Sequence, residues 1–341
     1  MTINELAKLC QTSPATVSLA LNNRPGVSPV TRQRILDIAA EVGYTSHKKN
    51  NTKAEEKFIK LIAVSKPSTS NIHNFRTSFF ADIINYVQKR CSELNYSMLY
   101  SILPHEDFID TLKSSENTQP SSGIILLGTY LDDNEIEDLA QFSSPLVLLD
   151  RNCPLMSLNA VGINNYMGAY HAVRSLIELG HQQIGYVHSA SSVANLTERR
   201  RGFIDALSSK RLLASPDYSF QCNSYISDGI ELLYDQLAKC RKLPTAFFCE
   251  NDYNAICLIS ALNQLGFHTP DDISVVGFDD VPECIITSPQ LTTVHVDRKA
   301  LSYTAVDLLH TLISEPNTTV TKNIFINTRV VTRSSTSTPA R

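Results

Sequence analysis

Seven apolar runs of four to seven residues punctuate the chain between residues 58 and 278, and no other feature restricts its fold more. They are Ile59–Val64, Ser97–Leu103, Gly123–Leu127, Leu146–Leu149, Ile184–Val187, Ala246–Cys249 and Ser274–Phe278. Stretches of helical period lie between them, near residues 79–94, 106–114, 133–141, 198–209, 228–239 and 252–265. Continuous apolar strands bounded by amphipathic helices imply parallel sheets covered on both faces. The rhythm comes in two series, so it predicts an α/β core of two doubly wound subdomains. Ligands of such sheets sit at the carboxyl ends of the strands, and two sheets facing one another enclose a cleft.

A length of 341 residues suits two or three domains, and a 43% hydrophobic content supports a large core. No apolar run approaches the roughly 18 residues that a membrane span needs. The chain opens as a polar helix start with Asn4 and Glu5, where a secretory signal would be apolar. A cytoplasmic protein with no membrane partner is therefore expected. The eight cysteines, at 10, 91, 153, 222, 240, 249, 257 and 284, show neither disulfide nor zinc spacing. They read as reduced, mostly buried thiols, with no metal site and no cofactor.

The first 44 residues are written in the grammar of helix ends. Thr2 with Glu5 forms a capping box, and Ile3, Leu6 and Leu9 fall on one apolar face. After a short turn at 10–12, Ser13 caps and Pro14 begins a second helix over 15–21. Ser28 and Pro29 repeat the device for a third, with Ile35, Leu36, Ile38, Ala39 and Val42 as its buried stripe. Three short helices around one core suit a helix-turn-helix, whose second helix offers its first turn to base edges. Residues 1–53 hold seven Lys or Arg against three acidic residues, a balance of +4 in a chain of −4. Positive charge gathered in one segment suits a polyanion. Between residues 45 and 57 the sequence turns polar and reads as a linker.

Ser-Pro-Ala-Thr-Val-Ser at 13–18, Leu-Asn-Asn-Arg-Pro-Gly-Val-Ser at 21–28 and Gly43-Tyr44 resemble the LacI/GalR family of repressors. The later segments resemble the sugar-binding core that these repressors share with periplasmic sugar-binding proteins. They include Gly168-Ala169, Arg199-Arg-Arg-Gly202-Phe203, Asn251-Asp252, Pro270–Asp280 and Pro289–Thr293. The resemblance implies residues 1–45 as helix-turn-helix domain and 46–57 as hinge linker. It implies 58–160 with 292–320 as the first core subdomain, 161–291 with 321–336 as the second, and 337–341 as a tail. Double-stranded operator DNA is the implied partner, contacted by Thr2, Ser13, Pro14, Ala15, Thr16, Ser18, Leu19, Asn22 and Arg32. His47, Lys48, Lys49 and Lys53 complete that set, the lysines neutralising phosphates. The sequence departs from the family at Leu19, where Arg is frequent, and at Lys53, where a minor-groove Leu is expected.

A sugar site needs carboxylates, amides and guanidinium groups beside an aromatic face. The resemblance places these at Phe79, Phe80, Asp150, Arg151, Arg199, Asn251 and Asp279. Asp252 and Asp280 read equally as helix caps or turn formers. A carbohydrate effector is expected, with a purine or phosphosugar as the alternatives. A homodimer is implied, its contact made by the first subdomains and the segment after Leu291. An enzyme and a free-standing sugar-binding protein are the competing classes. The chain lacks a Gly-x-Gly-x-x-Gly turn, a phosphate loop and a nucleophile elbow, and His181 reads as a structural turn residue.

Overall fold

The computed structural model describes residues 2–22, 24–42, 44, 57–65, 77–140, 142–190, 193–223 and 226–340. It divides into two units, residues 1–56 and 57–341. Among the described residues no helix is long and apolar enough to cross a membrane.

The head consists of α1 (Ile3–Leu9), α2 (Pro14–Leu21) and α3 (Pro29–Glu41). Each begins as the sequence predicts. The Thr2 hydroxyl accepts from Glu5 N while the Glu5 carboxylate accepts from Thr2 N, and Ser13 and Ser28 cap Thr16 N and Thr31 N at 3.1 Å. The core comprises Leu6, Ala7, Cys10, Val17, Ala20, Ile35 and Ala39. Leu9, Leu36 and Val42 were expected inside, but they are exposed at 54%, 38% and 37%. The core lies on the Ala7 and Cys10 side of α1 and along the Ile35–Ala39 row of α3, and this leaves those three at the flanks. A core this small makes the caps a sizeable part of the head's stability.

In the second unit, β1 (Phe58–Ser65), β2 (Ser97–Pro104), β3 (Gly123–Leu127), β4 (Leu146–Leu149), β5 (Asn159–Ile163) and β11 (Asn323–Ile326) form one parallel sheet in the order β11-β5-β4-β3-β1-β2. It packs with α4 (Ser78–Glu93), α5 (Phe108–Thr118), α6 (Asp133–Leu139) and α11 (Arg298–Ser314). A second parallel sheet, β7-β6-β8-β9, is built from β6 (Ile184–Ser189), β7 (Ser219–Cys222), β8 (Ala246–Cys249) and β9 (Ser274–Val276). Its helices are α7 (Asn165–Glu178), α8 (Ala194–Ser208), α9 (Ile226–Leu237) and α10 (Asp252–Gln264). The antiparallel pair β10 (Thr293–His295) and β12 (Arg329–Val331) extends this sheet, since Gly277 N and Asp279 N donate to Thr292 O and Val294 O at 2.9 Å.

Domain boundaries differ from the sequence expectation at three places. β5 stays in the first sheet as far as Ile163, so the chain crosses at Asn164. β10 belongs with the second sheet, and the return crossing falls before α11 at Arg298. β11, expected in the second subdomain, pairs with β5 from Asn323↔Ala160 to Ile326↔Ile163. An edge place beside β5 satisfies its backbone, and nothing local in Asn-Ile-Phe-Ile announces which sheet it joins. Asn164 N donates to Ile326 O at 2.9 Å and Asn164 Nδ2 to Asn327 Oδ1 at 3.0 Å, which ties the first and third crossings together. The C-terminal residues are not a loose tail. Ser335 is fully buried and Ser337 N donates to Ser274 Oγ at 3.0 Å.

Candidate functional site

The cleft between the two sheets holds a cavity of about 270 Å³. Asp150 follows β4 and Asp279 follows β9, each where a strand opens onto the cleft. Both carry positive φ, 60° and 113°, conformations that cost L residues about 1–3 kcal/mol and gather at functional sites. Asp150 is 2% exposed. Its carboxylate accepts from Thr129 Oγ1 at 2.6 Å and from Asn195 Nδ2 at 3.1 Å. Asn195 belongs to α8, so this contact spans the cleft. Burial pushes the Asp150 carboxyl up to about 6, against the hydrogen bonds and the Arg199 charge that favour its ionised form.

Arg199 is the organising cation. Its Nε donates to Asn165 Oδ1 at 2.8 Å, Nη1 to Glu250 O at 2.5 Å and Nη2 to Asp279 Oδ1 at 3.0 Å. The guanidinium lies 3.6 Å from the Phe278 ring centroid, which fixes its plane. Gly202 makes this placement possible: a β-carbon there would come within 2.3 Å of Tyr166 O, so only glycine lets α8 approach α7 so closely. The Asp279 carboxyl is raised by burial, with the Arg199 charge opposing.

Asn251 caps α10, accepting from Asn254 N at 2.9 Å, and Asn254 Nδ2 donates to Ser189 Oγ at 3.2 Å. Glu250, 4% exposed, accepts from Tyr186 OH at 2.5 Å and from Ser189 N at 2.7 Å, anchoring the end of β6 beside the cavity. Phe79 and Phe80 meet edge to face, with centroids 5.3 Å apart, and form the apolar wall.

Six of the seven residues expected at the effector site therefore line one cavity: Phe79, Phe80, Asp150, Arg199, Asn251 and Asp279. Arg151 does not. Its guanidinium turns to Asp133 in α6, with Nη2 at 2.5 Å from Oδ1, because the left-handed turn at Asp150 sends consecutive side chains to different sides. Asp252 is structural: it is fully buried, accepts from Thr293 Oγ1 and Val281 N, and burial with the nearby Asp279 charge pushes its carboxyl to about 7. Asp280 is structural too, held by His295 Nδ1 at 2.8 Å and Arg333 Nη2 at 2.6 Å; these bonds outweigh burial and lower its carboxyl. Sequence reasoning missed Thr129, Ser189, Asn195, Asn223, Tyr253 and Asn254. Asn195 had a signal, since it stands four residues before Arg199 on the same helical face. His181 is buried and bonded to Thr245 and Ser337 O, and burial lowers its imidazole.

On the head, Pro14 and Ala15 are exposed and Thr16, Ser18 and Leu19 half-buried, while Val17 and Ala20 face inward. Thr2 and Ser13 spend their hydroxyls on caps, and Asn22 Nδ2 donates to Ser18 O at 2.8 Å. Arg32 Nη2 donates to Arg24 O at 2.6 Å, bracing the connection into α3. His47, Lys48, Lys49 and Lys53 lie outside the described residues.

Residues 2–47 match the family described as bacterial regulatory proteins, lacI family, and residues 173–336 a periplasmic binding protein-like domain. The chain is 31% identical over 338 residues, 98% of each chain, to a probable HTH-type transcriptional repressor ExuR of Bacillus subtilis. It is 29% identical over 318 residues, 90% of each, to the HTH-type transcriptional repressor PurR of Mannheimia succiniciproducens. Among solved structures, the transcriptional regulator CelR in complex with cellobiose superposes with a TM-score of 0.72 at 22% identity, over 98% of this chain and 99% of that one. The lac repressor dimer bound to operator and the anti-inducer ONPF gives 0.72 at 23%, over 99% of each. With a helix-turn-helix head and a periplasmic-binding-protein-like core, this chain belongs to the LacI family of DNA-binding transcriptional regulators and is not an enzyme.

Proposed function

We propose that the chain is a cytoplasmic repressor acting as a homodimer, whose operator affinity is set by a neutral carbohydrate held between the two core subdomains. One observation carries the choice of ligand. The cavity lining supplies two carboxylates, Asp150 and Asp279, and a ring of neutral polar groups at Thr129, Ser189, Asn195, Asn223, Asn251 and Asn254. Its cation, Arg199, is already paired with Asp279. Hydroxyls donate to carboxylates and accept from amides, whereas among the described lining residues a phosphate would face Asp150 with no cation but the paired Arg199. Phe79 and Phe80 supply the apolar surface that a sugar ring packs on. The cellobiose complex of CelR and the ribose complex of a regulator from Enterococcus faecium support a saccharide in this fold.

At the operator, Pro14, Ala15, Ser18 and Leu19 read base edges, Leu19 against a thymine methyl, while Thr2, Thr16, Asn22 and Arg32 border the phosphates. The basic linker residues His47, Lys48, Lys49 and Lys53 add backbone contacts. Effector closure of the cleft turns the first subdomains and changes the spacing of the two heads. Effector and operator are then coupled reciprocally, typically by about 1–3 kcal/mol.

A thermal-shift panel of neutral mono- and disaccharides, sugar phosphates and purines tests the ligand class. A neutral saccharide is expected to raise Tm with increasing concentration. A shift given only by the phosphates or purines overturns the reading.

A further inference from the structure

Cysteines scattered along the sequence meet beneath the cleft. Cys222 ends β7 and Cys257 lies in α10, and both are buried. A β-carbon built on Gly229 of α9 would lie 2.9 Å from Cys222 Sγ and 3.2 Å from Cys257 Sγ, so the absent side chain is what leaves both sulfurs their room. Both sulfurs therefore flank the same point of α9. Cys257 lines the cavity together with Asn223 and Ile226, and each sulfur stands 3.6 Å from a carbonyl of that wall, Cys222 from Asn223 O and Cys257 from Ile226 O. Cys257 is therefore the member of the pair that meets a small molecule in the cleft, with Cys222 buried behind it.

We propose that Cys222 and Cys257 form a dithiol modification site at the cavity wall, oxidised to a disulfide by hydrogen peroxide. Cys257 is the attacking sulfur because it lines the cavity by which peroxide arrives and Cys222 does not, while burial pushes the Cys91, Cys249 and Cys284 thiols up. The Cys257 thiolate attacks one peroxide oxygen, the O–O bond breaks, and the departing hydroxide takes a proton as water. The Cys222 sulfur then attacks the sulfenic sulfur, the S–S bond forms, and the hydroxyl leaves with the Cys222 proton as a second water. Two thiols lose two electrons, and the peroxide gains them. The bond clamps the end of β7, with Asn223, to α10 and redraws one wall of the cleft. Among the described residues no group of His, Cys, Asp or Glu could hold a metal ion, so a thiolate metal site does not compete.

The test uses the full-length reduced protein, treated with hydrogen peroxide, blocked with iodoacetamide and mapped without reduction. A peptide linking Cys222 to Cys257 is expected, with an intact mass lower by two hydrogens and full reversal by dithiothreitol. Cys257→Ser should abolish that product, and Cys240→Ser, at the more exposed thiol, should keep it. Recovery of Cys222 and Cys257 as alkylated peptides after Cys240 has oxidised overturns the proposal, as does a Cys249–Cys257 link. If Cys257→Ser fails to fold, the map of the unaltered chain decides alone. Only the consequence for the cleft rests on the effector reading, so a failed saccharide screen leaves the map intact.

Discussion

At residue scale, the cleft depends on charges held where water is scarce. Asp150 sits in the folded protein with its carboxyl raised from 3.8 to about 6 by burial, so the folded chain binds this proton more readily than the unfolded one. Stability from this group is full below pH ~4 and is lost as the pH rises through about 6. A saccharide hydroxyl donating to the carboxylate favours the ionised form, so affinity should rise from pH ~4 to ~6, level off above, and release protons on binding. Calorimetry in buffers of different ionisation enthalpy checks this; affinity independent of pH over that window would show that the ligand does not touch Asp150. Replacing Arg199 leaves Asp279 buried without its cation and strips the bonds to Asn165 and Glu250 O. Arg199→Ala should therefore cost about 3–5 kcal/mol in urea denaturation. Asp279→Asn keeps the shape, and it should abolish the effector response while operator titration in the absence of effector stays unchanged.

At the scale of elements, the head rests on caps. Ser13→Ala removes the bond to Thr16 N and should lower the head's stability by about 1 kcal/mol, read by thermal melting, and weaken operator binding with it. Those caps were legible in the sequence because Ser-Pro fixes both the hydroxyl and the first helical φ. The strands β1, β3, β4, β6, β8 and β9 were legible for a different reason: burial on both faces makes them continuous apolar runs. β5 was not, since Asn159-Ala-Val-Gly-Ile is interrupted by Gly162, and β7 was not, since Ser-Phe-Gln-Cys is too short and mixed. The site followed the same division. Order puts Asp150 and Asp279 just past a strand end, and the family resemblance supplied their assignment to the site. The turn of Arg151 toward Asp133 could not, because it depends on the backbone hand at its neighbour. Neither could Thr129 or Asn195, whose roles exist only once the two sheets face each other.

At the scale of the whole molecule, charge separates the two duties. The basic charge of the head and linker suits phosphates, while residues 54–341 carry the net negative charge. Operator binding should weaken steeply and log-linearly with salt, at nearly one power of concentration per phosphate neutralised, and saccharide binding should barely respond. Titrations at several salt concentrations measure both slopes; a flat operator slope would remove the phosphate role from Lys48, Lys49 and Lys53. The threading of the core has a consequence for how it is made. β11 and α11 complete the first sheet, yet the entire second subdomain lies between them and β5 in the chain. During synthesis the head, with a core of its own, is free to fold first. The first sheet must wait, its β5 edge unpaired, until residue 326 has left the ribosome. The core is thus finished as one piece, late, and the head exists for a time without it.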